Sequence, residues 1–476
     1  MSIKHKTIYG LFWSSIERFS SQIIQFVIGI IIARLLAPTD YGLIGMLAIF
    51  LAISQSFIDS GFSNALIIKK NRTEADFSTV FYFNIFVGLF FYIVLFFTSG
   101  LIADFYNSPI LENLTKVVGI TLFINSLTVV QRAKLTIVVD FKTQAKASII
   151  SVIISGIIGI WMAYSGYGVW ALAYQSVANG LVNMIMIWAY SKWKPKRIFS
   201  WTSFRELFSF GSKLLLSGLI DTIYKNIYTI VIGKKFSAHD LGFYTRSDQL
   251  AQFPSSNISN IFSRVIFPIL SSIQTDDDRL QDVYRKYLRL SAFIIFPLMA
   301  GFAALASPFI NLLLTPKWDG AVLILQILCF AYMWYPIHSI NLNLLQVKGR
   351  SDLFLRLEII KKIIGFTILL ITIPMGIIPM CIGLVINSII CLTINTHYTG
   401  KLINVGFVKQ MKDLLPTLFY STTMSVIVWL SIMLVDSNLL KLLLGFVIGT
   451  VYYFGIAYIS KSKEIHEILS IIKPKK

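Results

Sequence analysis

Apolar residues run in long blocks along almost the whole chain, broken at short intervals by polar clusters. The blocks lie near 8–33, 41–62, 79–103, 112–131, 147–165 and 169–190. A second set follows near 206–233, 243–272, 287–312, 320–346, 355–374 and 379–399, and two more near 414–435 and 438–459. Each is about 20 residues or more, the length an α-helix needs to cross the hydrocarbon core of a bilayer with every backbone group paired internally. The pattern predicts an all-α integral membrane protein of fourteen transmembrane helices. No interval between blocks is long enough for a separate soluble domain.

Composition agrees. The 476 residues are 56% hydrophobic and only 14% charged, with a mean hydropathy of +0.72. Soluble domains carry about 25% charged residues, so a soluble enzyme is excluded. A net charge of +19 would suit a nucleic-acid partner, but the basic residues have no module outside the membrane to form such a site, and nucleic-acid binding is set aside. Instead they cluster in alternate short loops. One side of the predicted membrane holds 31 Lys and Arg, from Lys4 and Lys6 through Lys192–Arg205 to Lys461–Lys476. The other holds 7: Arg34, Lys116, Lys234, Lys235, Arg246, Lys317 and Lys441. The positive-inside rule then places both termini in the cytoplasm. Glu17, Arg18, Gln22 and Gln25 interrupt the first block, so it reads as a retained helix rather than a cleaved leader. Cys329, Cys381 and Cys391 all fall in predicted spans and read as small buried apolar residues, fitting neither a disulfide framework nor a metal site.

An internal repeat organises the spans. Ile32-Ala-Arg-Leu-Leu-Ala-Pro-Thr-Asp-Tyr-Gly42 matches Ile232-Gly-Lys-Lys-Phe-Ser-Ala-His-Asp-Leu-Gly242 with a constant offset of 200. Each segment joins the first and second helix of a six-helix set. Six is even, so both sets enter the membrane in the same orientation. A parallel repeat with an axis along the membrane normal follows, with a substrate site expected between the halves. The expected domains are an N-terminal six-helix lobe over 1–190, a cytoplasmic linker over 191–205 and a C-terminal six-helix lobe over 206–400. Two additional helices over 401–460 and a cytoplasmic tail over 461–476 complete the chain.

Several segments carry a family resemblance: Ala33-Arg-Leu-Leu-Ala-Pro-Thr-Asp-Tyr-Gly-Leu43, Asp59-Ser-Gly-Phe-Ser-Asn-Ala-Leu66, Phe267-Pro-Ile-Leu270 and Leu314-Thr-Pro-Lys-Trp318. In their order and spacing on a fourteen-span chain they resemble the polysaccharide-transporter branch of the multidrug/oligosaccharidyl-lipid/polysaccharide exporter superfamily, including the colanic acid exporter type. The resemblance covers essentially the whole chain. It implies a flippase of the bacterial inner membrane that moves an undecaprenyl-pyrophosphate-linked oligosaccharide from the cytoplasmic to the periplasmic leaflet for O-antigen, capsule or exopolysaccharide assembly. Membrane lipids and polysaccharide polymerases are the partners this implies.

Four cations lie inside predicted spans: Arg18, Lys213, Lys225 and Arg264. A cation at membrane depth costs about 2.5–3.5 kcal/mol on insertion scales, so such residues face a partner or a wet cavity. Arginine grips phosphate through a bidentate fork and lysine acts as a point charge, so a staggered set offers a pyrophosphate successive partners. Lys213 can instead snorkel to the interface. Span one carries Ser14, Arg18, Ser21, Gln25 and Gly29 on one helical face, and span seven carries Lys213, Ser217, Asp221, Lys225 and Tyr228 likewise. The candidate substrate-binding residues are therefore Arg18, Lys225, Arg264, Lys213 and Gln25.

Glu17, Asp59 and Asp221 are candidates for ion coupling or gating. Asp221 lies one turn from Lys225, where a structural ion pair competes with a proton or sodium site, and Asp59 suits gating or helix capping better than ion binding. Stripes at Gln175, Asn179 and Asn183 and at Asn387 and Asn395 read first as ties between helices, and His338 as a packing residue rather than a proton relay. The linker from Ser191 to Arg197 reads as a solvated connector, and the tail as an amphipathic interfacial helix. No nucleotide-binding, catalytic or metal signature occurs, so neither a cofactor nor ATP is expected, leaving Na+ or H+ coupling. Two other functions compete with this reading. A multidrug cation exporter of the same superfamily would need a carboxylate-dominated cavity. A membrane polymerase or ligase would need a large outer loop with catalytic acids.

Overall fold

A computed structural model describes residues 20–59, 61–465 and 467. The described parts of the fourteen predicted blocks are mostly helical, interrupted by short turns, and no strand occurs among the described residues. The helices are α1 Ser20–Leu35, then α2 Pro38–Asp59, α3 Phe62–Ile68, α4 Glu74–Tyr106, α5 Ile110–Ser126, α6 Val129–Ile137, α7 Phe141–Tyr164, α8 Val169–Ser191 and α9 Trp201–Lys235. The second series is α10 Ala238–Ser272, α11 Asp277–Ala304, α12 Ala306–Leu313, α13 Gly320–Tyr332, α14 Tyr335–Val347, α15 Ser351–Thr372, α16 Ile377–Ile403, α17 Phe407–Ile432 and α18 Asn438–Ile459. Among the described residues, nine helical stretches are long and apolar enough to cross a membrane. Of the remaining predicted spans, those on α9 and α10 carry much of the polar chemistry singled out above.

Local chemistry sets the helix ends. Thr73 and Asp76 close a capping box at the start of α4, with Asp76 accepting from the Thr73 backbone N–H at 2.8 Å; this satisfies donors the helix itself leaves open. Ser200 and Asp276 cap α9 and α11 more simply, their side chains accepting from the Ser203 and Arg279 backbone N–H groups. Four predicted spans are broken into two helices, as at Leu127–Thr128 between α5 and α6 and at Met333–Trp334 between α13 and α14. A backbone group freed by such a break needs another partner in a membrane. The Trp188 indole supplies one by donating to the Leu127 carbonyl at 2.9 Å.

The chain divides into two compact units, 1–242 and 243–476. In the first, α9 packs along α2 and against α3 and α4. The Ser56 and Thr222 hydroxyls meet at 3.1 Å on that face. Its first turns enter an aromatic core with Phe62, Phe77, Phe81, Phe204 and Leu207. The boundary between these two compact units falls after α9. In the second unit α17 lies along α11, and Gly445 and Gly449 of α18 let its backbone approach Val428 and Met424 of α17. Small residues serve such close helix contacts where lipid offers no hydrophobic drive.

The repeated segments fold alike, residue for residue. Leu36 N–H bonds Ile32 O at 2.9 Å, and Phe236 N–H bonds Ile232 O at 2.9 Å. Asp40 accepts from the Ala37 N–H at 2.9 Å, and Asp240 from the Ser237 N–H at 3.3 Å. The two turns also cross each other: a Cβ on Gly42 would stand 1.7 Å from the Ala238 carbonyl oxygen, and one on Gly242 1.9 Å from that of Pro38. Position 42 meets 238 while 242 meets 38. The contact between the two turns is therefore reciprocal.

Candidate functional site

The polar face of α9 stands away from α2. Asp221 and Lys225 form an ion pair at 2.7 Å, with side chains 46% and 70% exposed. The structural ion pair read from their spacing is therefore present, on an open face. Tyr228, on the same sequence stripe, is buried. Gln25 of α1 is exposed, whereas Ser21, one turn earlier, is buried with its hydroxyl 3.2 Å from that of Ser148 on α7. Arg18 and Glu17 lie outside the described residues, as does the Lys213 side chain; its backbone is part of α9.

Arg264 lies on α10 and is exposed. Its neighbour Ser263 fixes the other face, with its hydroxyl 2.8 Å from that of Ser339 and accepting from the Asn343 amide at 3.1 Å. Among the described residues Arg264 makes no hydrogen bond or ion pair. An arginine held in the open without a carboxylate is ready for an anion.

Asp59 ends α2, exposed, and accepts from Gln55 at 3.0 Å; Gln55 in turn accepts from Asn125 of α5 at 3.3 Å. Arg132 lies within electrostatic reach of Asp59 and donates to Asn183 at 2.6 Å. The amide stripe on α8 ties helices together: Asn183 donates to Ser151 at 3.3 Å and Asn179 to Ser155 at 3.2 Å, both on α7. His338 is likewise engaged at both ring nitrogens, 3.0 Å from the Ser388 hydroxyl and 3.3 Å from the Asn395 amide. An amide N–H can only donate, so Nδ1 accepts and Nε2 carries the proton. All three cysteines are free and buried, and among the described residues no three metal-ligating side chains cluster.

Two peripheral readings change. The connector is not a solvated strand but is docked on α4: the Trp193 indole donates to Glu74 at 2.9 Å, Lys196 N–H to Ser78 at 3.0 Å, and Ser200 N–H to Thr79 at 2.9 Å. The half-buried Trp193 packs its ring on the aromatic core, and its one N–H finds a carboxylate. The start of the tail packs on α11 rather than lying free, with Arg289 paired to Glu464 at 3.1 Å and Ile465 buried beside Phe293.

Sequence reasoning passed over Asp248. It lies inside the predicted block 243–272, on α10, and accepts from the Tyr332 hydroxyl of α13 at 2.6 Å. The signal was available, because a carboxylate in a membrane span is as conspicuous as a cation. Arg246, counted with the outer loops, is buried on the same helix.

These features fit a polytopic transport protein, and comparison with known proteins agrees. A profile of the polysaccharide biosynthesis protein family matches residues 31–323. The chain belongs to that family. It is 28% identical over 355 residues to the teichuronic acid biosynthesis protein TuaB of Bacillus subtilis, covering 74% of this chain and 73% of that one. It is 24% identical over 402 residues to the lipopolysaccharide biosynthesis protein WzxC of Escherichia coli, covering 83% and 80%. Among solved structures, the lipid II flippase MurJ in an inward closed conformation superposes with a TM-score of 0.76 at 17% identity, covering 95% of this chain and 99% of that chain. An inward-facing multidrug resistance transporter of the MATE family gives 0.60 at 13%, covering 83% and 100%. The all-α multi-pass fold read from the sequence is the fold of these transporters. This family member is a membrane transport protein of polysaccharide biosynthesis, not an enzyme.

Proposed function

We propose that this protein flips an undecaprenyl-pyrophosphate-linked oligosaccharide from the cytoplasmic to the periplasmic leaflet of a bacterial inner membrane, by alternating access through a cationic cavity. Arg264 carries the reading: an exposed arginine inside a span predicted from the sequence, unpaired among the described residues. Its insertion cost is hard to account for without an anion to receive. In this reading Arg264, Lys225 and Arg18 attract the pyrophosphate, Lys213 and Gln25 assist, and the sugar follows the charged group. Each contact has to be weak enough to release, and a series of single cations meets that need better than one closed cage. Both termini are placed in the cytoplasm by the distribution of Lys and Arg, and the two pseudo-symmetric six-helix lobes are the moving parts. Glu17, Asp59 and Asp221 are proposed to gate or to couple transport to Na+ or H+.

Support comes from the chemistry that the relatives' names state, teichuronic acid and lipopolysaccharide biosynthesis, and from the fold shared with a lipid II flippase. The drug-exporter alternative has less behind it, because Asp221 on the open face of α9 is already paired with a lysine. Complementation tests the proposal. In a strain lacking its own flippase for a surface polysaccharide that this protein restores, Arg264→Ala is expected to abolish the polymer at unchanged membrane abundance. Arg264→Lys is expected to restore part of it. Full polymer from Arg264→Ala would remove the residue from the substrate path.

A further inference from the structure

Asp248 occupies a setting that none of the proposed substrate residues shares. It is the eleventh residue of α10, about 15 Å along the helix from Ala238, while Tyr332 is about 18 Å along α13 from Gly320. Both helices start on the predicted outer side, and both residues fall inside their predicted spans, so the two side chains meet in the outer part of a hydrocarbon core about 30 Å thick. The Tyr332 hydroxyl donates to Asp248 Oδ1 at 2.6 Å. Tyr332 is also the last residue of α13, at the break before α14. Here Ser255 of α10 donates to the Tyr332 carbonyl at 2.6 Å, and Ser388 of α16 to that of Ala331 at 3.2 Å. Next to Asp248, Ser247 donates to the Ala321 carbonyl at 2.9 Å, holding α10 against α13.

The site therefore consists of one carboxyl, one phenol and a broken helix whose Ala331 and Tyr332 carbonyls are already satisfied. The other titratable groups facing it are Cys381 of α16 and, beyond Tyr332, Tyr335 of α14. On the same helix, Arg246 bonds Gln249 at 3.4 Å, and among the described residues Asp248 has no cation partner. Without a cation, a charged carboxylate at this depth is costly, and a proton removes the charge without further ligands. Asp221 differs in being neutralised by Lys225, and Asp59 in being exposed at a helix end.

We infer that Asp248 is the proton-carrying group of the second unit. A proton arriving from water adds to Oδ2 and converts the carboxylate to a neutral carboxylic acid, while Tyr332 keeps its hydrogen bond to Oδ1. Release of that proton to the opposite side restores the carboxylate. Loading and unloading change the charge held between α10 and α13 at the α13–α14 break, which is where a change of helix position is least restrained by backbone bonds. The coupling role rests on the transport function proposed above; the protonation itself does not.

Carbodiimide labelling tests protonation directly, because dicyclohexylcarbodiimide reacts with protonated carboxyls in apolar surroundings. Full-length protein in membranes is treated over a range of pH and digested for mass spectrometry. The adduct is expected on the peptide holding Asp248, weakening as the medium becomes alkaline, absent in Asp248→Asn and regained in Asp248→Glu. The exposed Asp352, paired with Arg350 at 2.7 Å, is expected to stay unlabelled and serves as control. No adduct at Asp248 at any pH at which the protein stays folded would overturn the assignment. In the export assay, Asp248→Asn keeps the acceptor for Tyr332 but cannot take up a proton. Loss of export with partial recovery in Asp248→Glu is expected. Export from Asp248→Asn equal to the unaltered protein across external pH would refute coupling at this residue. Absence of export by the unaltered protein would instead defeat the flippase reading, with the labelling result still deciding protonation.

Discussion

Alanine at Gly42 strikes the point where the two repeats cross. Its methyl group would stand 1.7 Å from the Ala238 carbonyl oxygen, while ordinary van der Waals contact starts at 3.4 Å. The obstructing atoms are backbone, so no side chain can rotate aside, and the turn at Ala238 has to retreat by as far again. Overpacking that forces backbone shifts costs about 1–3 kcal/mol, with the upper end apt for a buried crossing of this kind. By the reciprocal contact, Gly242→Ala meets the Pro38 carbonyl at 1.9 Å and is expected to cost nearly as much. Once the turns have separated for one methyl group, the second finds room. The double variant is therefore expected to cost clearly less than the sum of the singles, as interacting neighbours do. Thermal unfolding in detergent, followed by size-exclusion chromatography with fluorescence detection, reads all three. A Gly42→Ala protein that melts with the unaltered one, or a double variant showing strict additivity, would refute the crossing.

The other predictions concern charge, the second unit and topology. Because the Asp221–Lys225 pair is exposed, its i,i+4 attraction is worth only about 0.3–0.5 kcal/mol. Lys225→Ala should then leave melting unchanged while lowering export. If the Asp221→Asn, Lys225→Ala double variant exports normally, Lys225 acts only on Asp221 and leaves the substrate path. Gln410 is fully buried and joins Tyr284, Asn341, Thr399 and the Val405 carbonyl at 2.9–3.2 Å. Gln410→Leu strands several of these groups and is expected to destabilise the protein by about 3 kcal/mol, seen as a lowered melting temperature; a change within error would show the network to be dispensable. Single cysteines at Thr39, Asn107 and Asp319 in a Cys-free background should react with an impermeant maleimide in whole cells, and those at Lys70, Lys194 and Lys348 only after permeabilisation. Outside labelling at position 194 would overturn the assigned orientation.

Much of the fold was legible because the bilayer leaves few choices. Apolar blocks of the right length fall on helices throughout the described residues, and the 200-residue offset seen in eleven positions returns as matching caps and a reciprocal crossing. The breaks were less visible. Pro336, near the start of α14, hints at the one after Tyr332, whereas Leu127–Thr128 has no Pro or Gly to mark it. The docked connector depended on distant partners, Glu74, Ser78 and Thr79, which no local pattern reveals. At the site, spacing alone identified the Asp221–Lys225 pair, because i,i+4 neighbours meet on any helix. Asp248 was passed over because its partner, Tyr332, lies 84 residues away and the pair shares no periodicity.

The central claim is that cations set in the predicted spans draw a lipid-linked pyrophosphate across the membrane. Its most direct measurement is transbilayer movement in proteoliposomes loaded with an undecaprenyl-pyrophosphate-linked oligosaccharide, scored by the fraction of sugar protected from an added glycosidase. The unaltered protein is expected to drain the protected fraction faster than protein-free liposomes. Arg264→Ala and Lys225→Ala are each expected to slow it by about tenfold, the loss of about 1.4 kcal/mol of ionic contact. Drainage by the unaltered protein no faster than in protein-free liposomes, or variants as fast as the unaltered protein, would contradict the account.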